Sequence, residues 1–148
     1  MKPYLLALML LSGLAFSADE APKKMLDFVQ GKWVADMEAT MKEPTIKAAI
    51  AKDSNMETKL KMMLGSTSYE FTKDSIIMSM KGMGDEPMVM TLPFKVLENT
   101  KKVLKIEVTP EGLDKGKPME ILFKDKDHII LPNPKLKLNA VLKRAPKK

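Results

Sequence analysis

A stretch of sequence with a Gly-containing turn at its centre decides the fold: it reads SIIMSMK over residues 75–81, GMGDEP over 82–87 and MVMTLPFKVLE over 88–98. Apolar residues alternate with others on both sides of the turn, which is the period of a half-buried strand. If the turn closes a hairpin, three apolar pairs share one face of it: Met80 with Met88, Met78 with Met90, and Ile76 with Leu92. The sequence therefore predicts an antiparallel hairpin with a Met-rich apolar face.

The same alternation predicts further strands along the chain, at residues 32–34, 68–72, 102–109, 119–124, 128–131 and 136–143. Closely spaced strands with turns between them are typical of an antiparallel up-and-down meander, here of about eight strands. One face is apolar throughout, and closing the sheet into a barrel covers that face and removes the edges. We predict an all-β fold with inserted helices, in which this meander closes into a barrel.

The inserted helices are predicted between the first two strands, over residues 35–64. Pro44 interrupts this segment and is suited to open a second helix. Ser54 and Glu57 have the spacing of a capping box before a third helix, and Gly65 is a typical stop.

The first 18 residues are predicted to be a secretory signal peptide. Lys2 gives a positive start, residues 4–14 form an apolar run, and small residues follow up to Ser17 and Ala18, where we expect cleavage. The run is shorter than the roughly 20 apolar residues that a membrane span needs. We therefore expect an exported protein, periplasmic or extracellular, with no stable membrane anchor and a single domain over residues 19–148.

Composition excludes several kinds of site. The 148 residues include no Cys and one His, so disulfides, thiol nucleophiles and His-paired metal sites are excluded. The net charge of +6 comes from dispersed lysines, and one Trp with two Tyr supplies no stacking platform for nucleic acid. His128 follows Asp125 and Asp127 and is expected to be an exposed hairpin residue. No phosphate-binding loop, nucleophile elbow or zinc motif is present, so we expect a monomer that is not an enzyme and needs no cofactor or metal.

Three residues carry a resemblance to the lipocalin (calycin) superfamily: Gly31 and Trp33 in a Gly-x-Trp on the first strand, and Arg144 at the end of the last. Arg144 is in phase with Leu138, Ala140 and Leu142, which are predicted to face inward. The resemblance implies a small lipocalin-like barrel in which a basic residue of the last strand lies across the Trp. Such a contact would be a cation–π interaction that closes one barrel end.

A barrel of this size is either filled by side chains or encloses one small ligand. We expect non-catalytic binding of a small apolar molecule, with these residues lining the site: Met78, Met80, Met88, Met90, Leu92, Phe94, Ile106 and Leu138. Methionine suits adaptable apolar pockets. The same thioethers also suit Cu(I), so a Met-rich copper-binding protein is one alternative. A filled barrel that acts as a structural or interaction module is another.

Overall fold

The structure is a computed structural model that describes residues 24–82, 84–133 and 136–147. The predicted signal peptide lies outside these residues. No helix within the described ranges is long and apolar enough to cross a membrane.

The strands form one closed antiparallel barrel in sequence order, and the first strand pairs with the last. The strands are β1 (Gly31–Ala35), β2 (Thr67–Phe71), β3 (Ser75–Lys81), β4 (Pro87–Asn99), β5 (Val103–Val108), β6 (Lys117–Asp125), β7 (His128–Asn133) and β8 (Leu138–Arg144). The predicted meander of about eight strands is confirmed.

Four helices accompany the barrel in the described residues: α1 (Met25–Val29), α2 (Met37–Lys42), α3 (Pro44–Lys52) and α4 (Met56–Gly65). The last three lie between β1 and β2, as predicted, and Pro44 opens α3. The predicted capping box is wrong, because α4 begins at Met56 with Asn55 as its N-cap and no side-chain capping bond. The Asp53 carboxylate instead accepts from the Asn55 amide at 2.9 Å, which shapes the turn before the helix.

The register of the β3–β4 hairpin follows the sequence prediction, since Met80 pairs with Met88 and Met78 with Met90. One buried cluster combines two side chains of α1 with inward residues of every strand except β4. Its members are Met25, Val29, Trp33, Phe71, Ile76, Leu104, Ile106, Val108, Ile121, Ile129 and Leu142. A second cluster lies under the helices and contains Ile46, Leu60 and Leu138. The first cluster fills the middle of the barrel.

The seam between β1 and β8 contains only three residue pairs, Trp33–Arg144, Val34–Lys143 and Ala35–Leu142. Beyond Ala35, helix α2 continues the pairing, because the Asp36 amide donates to the Val141 carbonyl at 2.8 Å. The buried Thr40 hydroxyl accepts from the Val141 amide at 2.9 Å. Farther along, the Thr45 hydroxyl of α3 accepts from the Asn139 amide at 3.2 Å. Threonine hydroxyls thus occupy backbone sites of β8 that the short β1 does not reach.

Candidate functional site

One end of the barrel, here called the closed end, is plugged by Trp33 and Arg144. Trp33 is fully buried, and its Nε1–H donates to the Val29 carbonyl at 2.7 Å. The Arg144 Cζ lies 4.5 Å from the Trp33 ring centroid and 5.0 Å from that of Phe28. This is the cation–π arrangement that the resemblance of Gly31, Trp33 and Arg144 implies.

The backbone around the plug fixes the guanidinium. Arg144 donates to the carbonyl of Phe28 at 2.6 Å and to that of Gln30 at 3.3 Å. Gly31 has φ of +112°, a conformation that L side chains rarely adopt, and it lies against the guanidinium. Burial lowers the pKa of Arg144 from its usual value, although a guanidinium stays charged at neutral pH. The plug therefore joins α1, β1 and β8 at the closed end.

The opposite end carries the Met face, defined as Met78, Met80, Met88 and Met90. These side chains share the face of the hairpin that holds buried Trp33, since Trp33 pairs with Tyr69 and Tyr69 with Met78. The alternation in the sequence predicts all four inside the barrel, and this is wrong for two of them, since Met88 is 58% exposed and Met90 39%. The reason is that β4 pairs with β5 only from Phe94 onward, so the hairpin projects past the neighbouring wall.

The other predicted lining residues lie at different depths. Leu92 and Phe94 are partly buried and pack against the core cluster, whereas Ile106 is completely buried within it. Leu138 belongs to the cluster under the helices and is 6% exposed. The structure therefore brings Leu92 and Phe94 next to the Met face and separates Ile106 and Leu138 from solvent.

Two cavities among the described residues involve the helices that follow β1. One, of about 330 Å³, lies where α4 meets β2 and includes Leu64, Ser68 and Ser79 in its lining. The other, of about 50 Å³, lies between the helices and β8. Exposed apolar side chains on the axis side of β4 include Met88 and Met90 of the Met face.

A second cluster of interest lies on the outer wall around His128. Its Nδ1 is 2.7 Å from Asp125 Oδ1 and its Nε2 is 3.1 Å from Asp36 Oδ2. Asp36 is also the N-cap of α2, where it accepts from the Ala39 amide at 3.0 Å. His128 therefore ties the start of α2 to the β6–β7 turn, and the expectation of a simply exposed His is wrong, since its side chain is only 26% exposed.

In this cluster, the protonated imidazole and the two carboxylates each stabilise the charged form of the other. Burial opposes the charged form of His128, but the hydrogen bonds to Asp125 and Asp36 outweigh it and raise the pKa of the imidazole. For Asp36, burial is likewise outweighed by hydrogen bonds from the Ala39 amide and His128, so its pKa is lowered. The pKa of Asp125 is lowered against burial by the Asp127 amide and His128. Both imidazole nitrogens are engaged with carboxylates, which is the arrangement of a structural clamp.

Replacing His128 with glutamine is expected to give a pH-dependent loss of stability. The raised pKa of His128 means that its contribution is complete below about pH 6.5 and is lost as the pH rises through the folded-state pKa. The lowered Asp pKa values mean that their contribution is complete above about pH 3.9 and is lost as the pH falls through the folded-state values. The difference in unfolding free energy between wild type and variant should therefore be largest near pH 5–6.

Urea unfolding at about pH 3, 5.5 and 9 measures this difference. Lys126→Gln, in the same turn and exposed, is the matched control and should show no such maximum. A wild-type-to-variant difference as large at pH 9 as at pH 5.5 would contradict the clamp.

Sequence reasoning missed the His128 cluster because Asp36 and His128 are 92 positions apart. The short spacing between Asp125 and His128 could have indicated the contact between those two residues, but not the contact with Asp36. The cavity of about 330 Å³ could not be predicted for the same reason, since it joins the end of α4 to residues of β1, β2 and β3. Neither feature has a local period or motif.

Comparison with known proteins finds no family model, no curated protein and no solved structure that matches this chain. The likeness to the lipocalin superfamily stays a resemblance of pattern, carried by Gly31, Trp33 and Arg144. The described residues form an eight-stranded, all-antiparallel closed β-barrel with short helices after its first strand.

Proposed function

We propose that this protein is a non-catalytic binding protein whose ligand, a small apolar molecule, binds on the Met face. The observation that carries the proposal is the exposure of Met88 and Met90, at 58% and 39%, on the side of the hairpin that faces the barrel axis. An exposed apolar patch on a soluble domain often marks a binding site.

The surroundings of the Met face favour an apolar ligand. Leu92 and Phe94 continue the face along β4 and pack against the buried core. A ligand on the Met face would therefore contact apolar side chains that the core holds in place. Methionine side chains are flexible and polarizable, and they adapt to ligands of different shape. Burying apolar area contributes about 25 cal/mol per Å². The filled interior below would serve as support rather than as the binding cavity.

Copper is a second candidate ligand because of the pairing within the hairpin. Met78 lies directly opposite Met90, and Met80 directly opposite Met88. Side chains in such pairs have Cβ atoms about 4.5–5.5 Å apart. Four thioethers on one face are ligands that suit Cu(I). Partial exposure would give the ion access to them.

Changing all four Met residues of the Met face to Leu should distinguish the two ligands. Leu roughly conserves the volume and apolar character of Met, so the variant should fold and keep its affinity for the apolar dye Nile red within about threefold. Without thioethers, any Cu(I) binding should weaken at least about tenfold. Dye fluorescence and competition with a Cu(I) chelator are the measurements.

Polar substitution supplies the opposite test. The double variant Met88→Gln and Met90→Gln keeps side-chain length but should weaken dye binding about 30-fold, since each of the two apolar groups contributes on the order of 1 kcal/mol when a ligand buries it. Val89→Ser is the matched control, because Val89 is 57% exposed on the opposite face of the same strand, and it should leave dye binding unchanged. A wild type that takes up no Cu(I) removes the second candidate. A wild type that binds Cu(I) but no dye overturns the apolar proposal.

Export belongs to the same proposal, supported by the charge and apolar pattern of residues 1–18. N-terminal sequencing of the protein recovered outside the cytoplasm tests it, and an uncleaved Met1 would contradict it.

A further inference from the structure

The cavity of about 330 Å³ where α4 meets β2 is a second site, here called the outer groove. We propose that it binds a small organic carboxylate that has an apolar body. The groups proposed to hold the carboxylate on the hairpin, Ser79 and Lys81, lie on the face opposite to the Met face.

The outer groove combines outward residues of the barrel wall with Ala35 and Thr67, which belong to the inward rows of β1 and β2. Val34, Ser68 and Ser79 lie opposite one another on β1, β2 and β3, and each is adjacent in sequence to a residue of the inward row. Lys81 follows Ser79 by two residues on the same face of β3, nearer the hairpin turn, and pairs with Pro87 of β4. The C-terminal end of α4 forms the other side. The volume is at the lower end of the range for small-molecule sites, about 300–1,000 Å³.

The hydroxyls at the end of α4 are already engaged. Ser66 Oγ donates to the Met62 carbonyl at 2.9 Å, and Thr67 Oγ1 donates to the Met63 carbonyl at 2.8 Å. These bonds satisfy carbonyls that would otherwise form the negative end of the helix. The hydroxyls of Ser66 and Thr67 are therefore bonded within the chain and are not counted among the groups that would bind the carboxylate.

Three polar groups in the lining have no such partner. The hydroxyls of Ser68 and Ser79 make no hydrogen bond to any described residue, although they face each other across β2 and β3. The Lys81 ammonium forms no ion pair within the described ranges, even with Asp85 and Glu86 of the adjoining turn. Two hydroxyl donors beside an unpaired ammonium form a site for a carboxylate.

The rest of the lining suits an apolar body. Leu64, Val34 and Pro87 line the outer groove together with Gly65. A Cβ added at Gly65 would meet no heavy atom within 4 Å, so the space beside it is open. A ring or short chain can lie there while its carboxylate contacts Lys81.

Titration of ¹⁵N-labelled protein with benzoate, and separately with benzamide, tests the proposal by NMR. Benzamide has the same shape without the charge. Benzoate should shift the amide signals of Ser68, Ser79 and Lys81 saturably, and benzamide should bind about tenfold more weakly, as expected for loss of a charge-assisted contact. Equal affinity for the two compounds, or no saturable shift, would overturn the proposal.

Two variants change the outer groove in different ways. Lys81→Met removes the charge and should weaken benzoate about tenfold, whereas Lys95→Met, at an exposed lysine of β4, should not. Gly65→Leu fills the open space and should abolish benzoate binding while leaving Nile red on the Met face unaffected. Benzoate affinity that survives both Lys81→Met and Gly65→Leu would refute the site even if one of these variants were less stable.

Discussion

Replacing Trp33 with alanine is expected to lower the free energy of unfolding by about 3–5 kcal/mol, the usual cost of removing a large buried aromatic side chain. Trp33 is fully buried and packs at 5.9 Å, centroid to centroid, against Phe28. Its loss would leave the Val29 carbonyl without its donor and Arg144 without the ring on which it stacks. The effect therefore combines a cavity with two broken polar contacts.

Denaturant melts of Trp33→Ala, Arg144→Ala and Arg144→Lys measure the plug. Arg144→Ala should cost less than the Trp change, about 1–2 kcal/mol, because its cation–π contacts are only partly shielded from water. Arg144→Lys keeps the charge but loses the planar guanidinium that reaches the carbonyls of Phe28 and Gln30. Its free energy of unfolding should therefore lie between those of wild type and Arg144→Ala. An Arg144→Ala melt that coincides with wild type would show that the contact contributes nothing.

Replacing Thr40 with valine is expected to cost about 1–3 kcal/mol, the penalty for leaving a buried backbone group without its partner. Valine has nearly the shape of threonine, so the change removes the hydroxyl and little else. That hydroxyl both accepts from the Val141 amide and donates to the Val141 carbonyl, and Thr40 is fully buried. The Val141 amide would then have no acceptor at the seam.

Urea unfolding and amide exchange at Val141 check this prediction. Thr40→Ser keeps the hydroxyl and should preserve slow exchange of that amide, even where loss of the methyl group lowers stability. Thr45→Val is the second control. The Thr45 hydroxyl accepts from the Asn139 amide in a partly buried position, so its removal should lower the free energy of unfolding by less. Unchanged Val141 exchange in Thr40→Val would show that the hydroxyl is not the partner that protects it.

The hairpin register could be predicted from the sequence because alternation is a local property: Met78 and Met90 share a face whatever the rest of the chain does. The exposure of Met88 could not, because it depends on where β5 stops along β4. Gly31, Trp33 and Arg144 could be linked only through a resemblance. The clamp at His128 depends on Asp36, which the fold brings to it from another part of the chain.

The short seam between β1 and β8 has a consequence for the order of folding. From β2 to β8, each strand pairs with the next along the chain, whereas Thr40 and Val141 meet across 101 positions. The entropic cost of closing a loop grows with its length, so we expect the seam to be the last pairing to form. Until it closes, β1 and β8 both present unpaired edges, which are templates for another chain. The contact that completes the barrel is thus also the one through which two folding molecules could exchange strands.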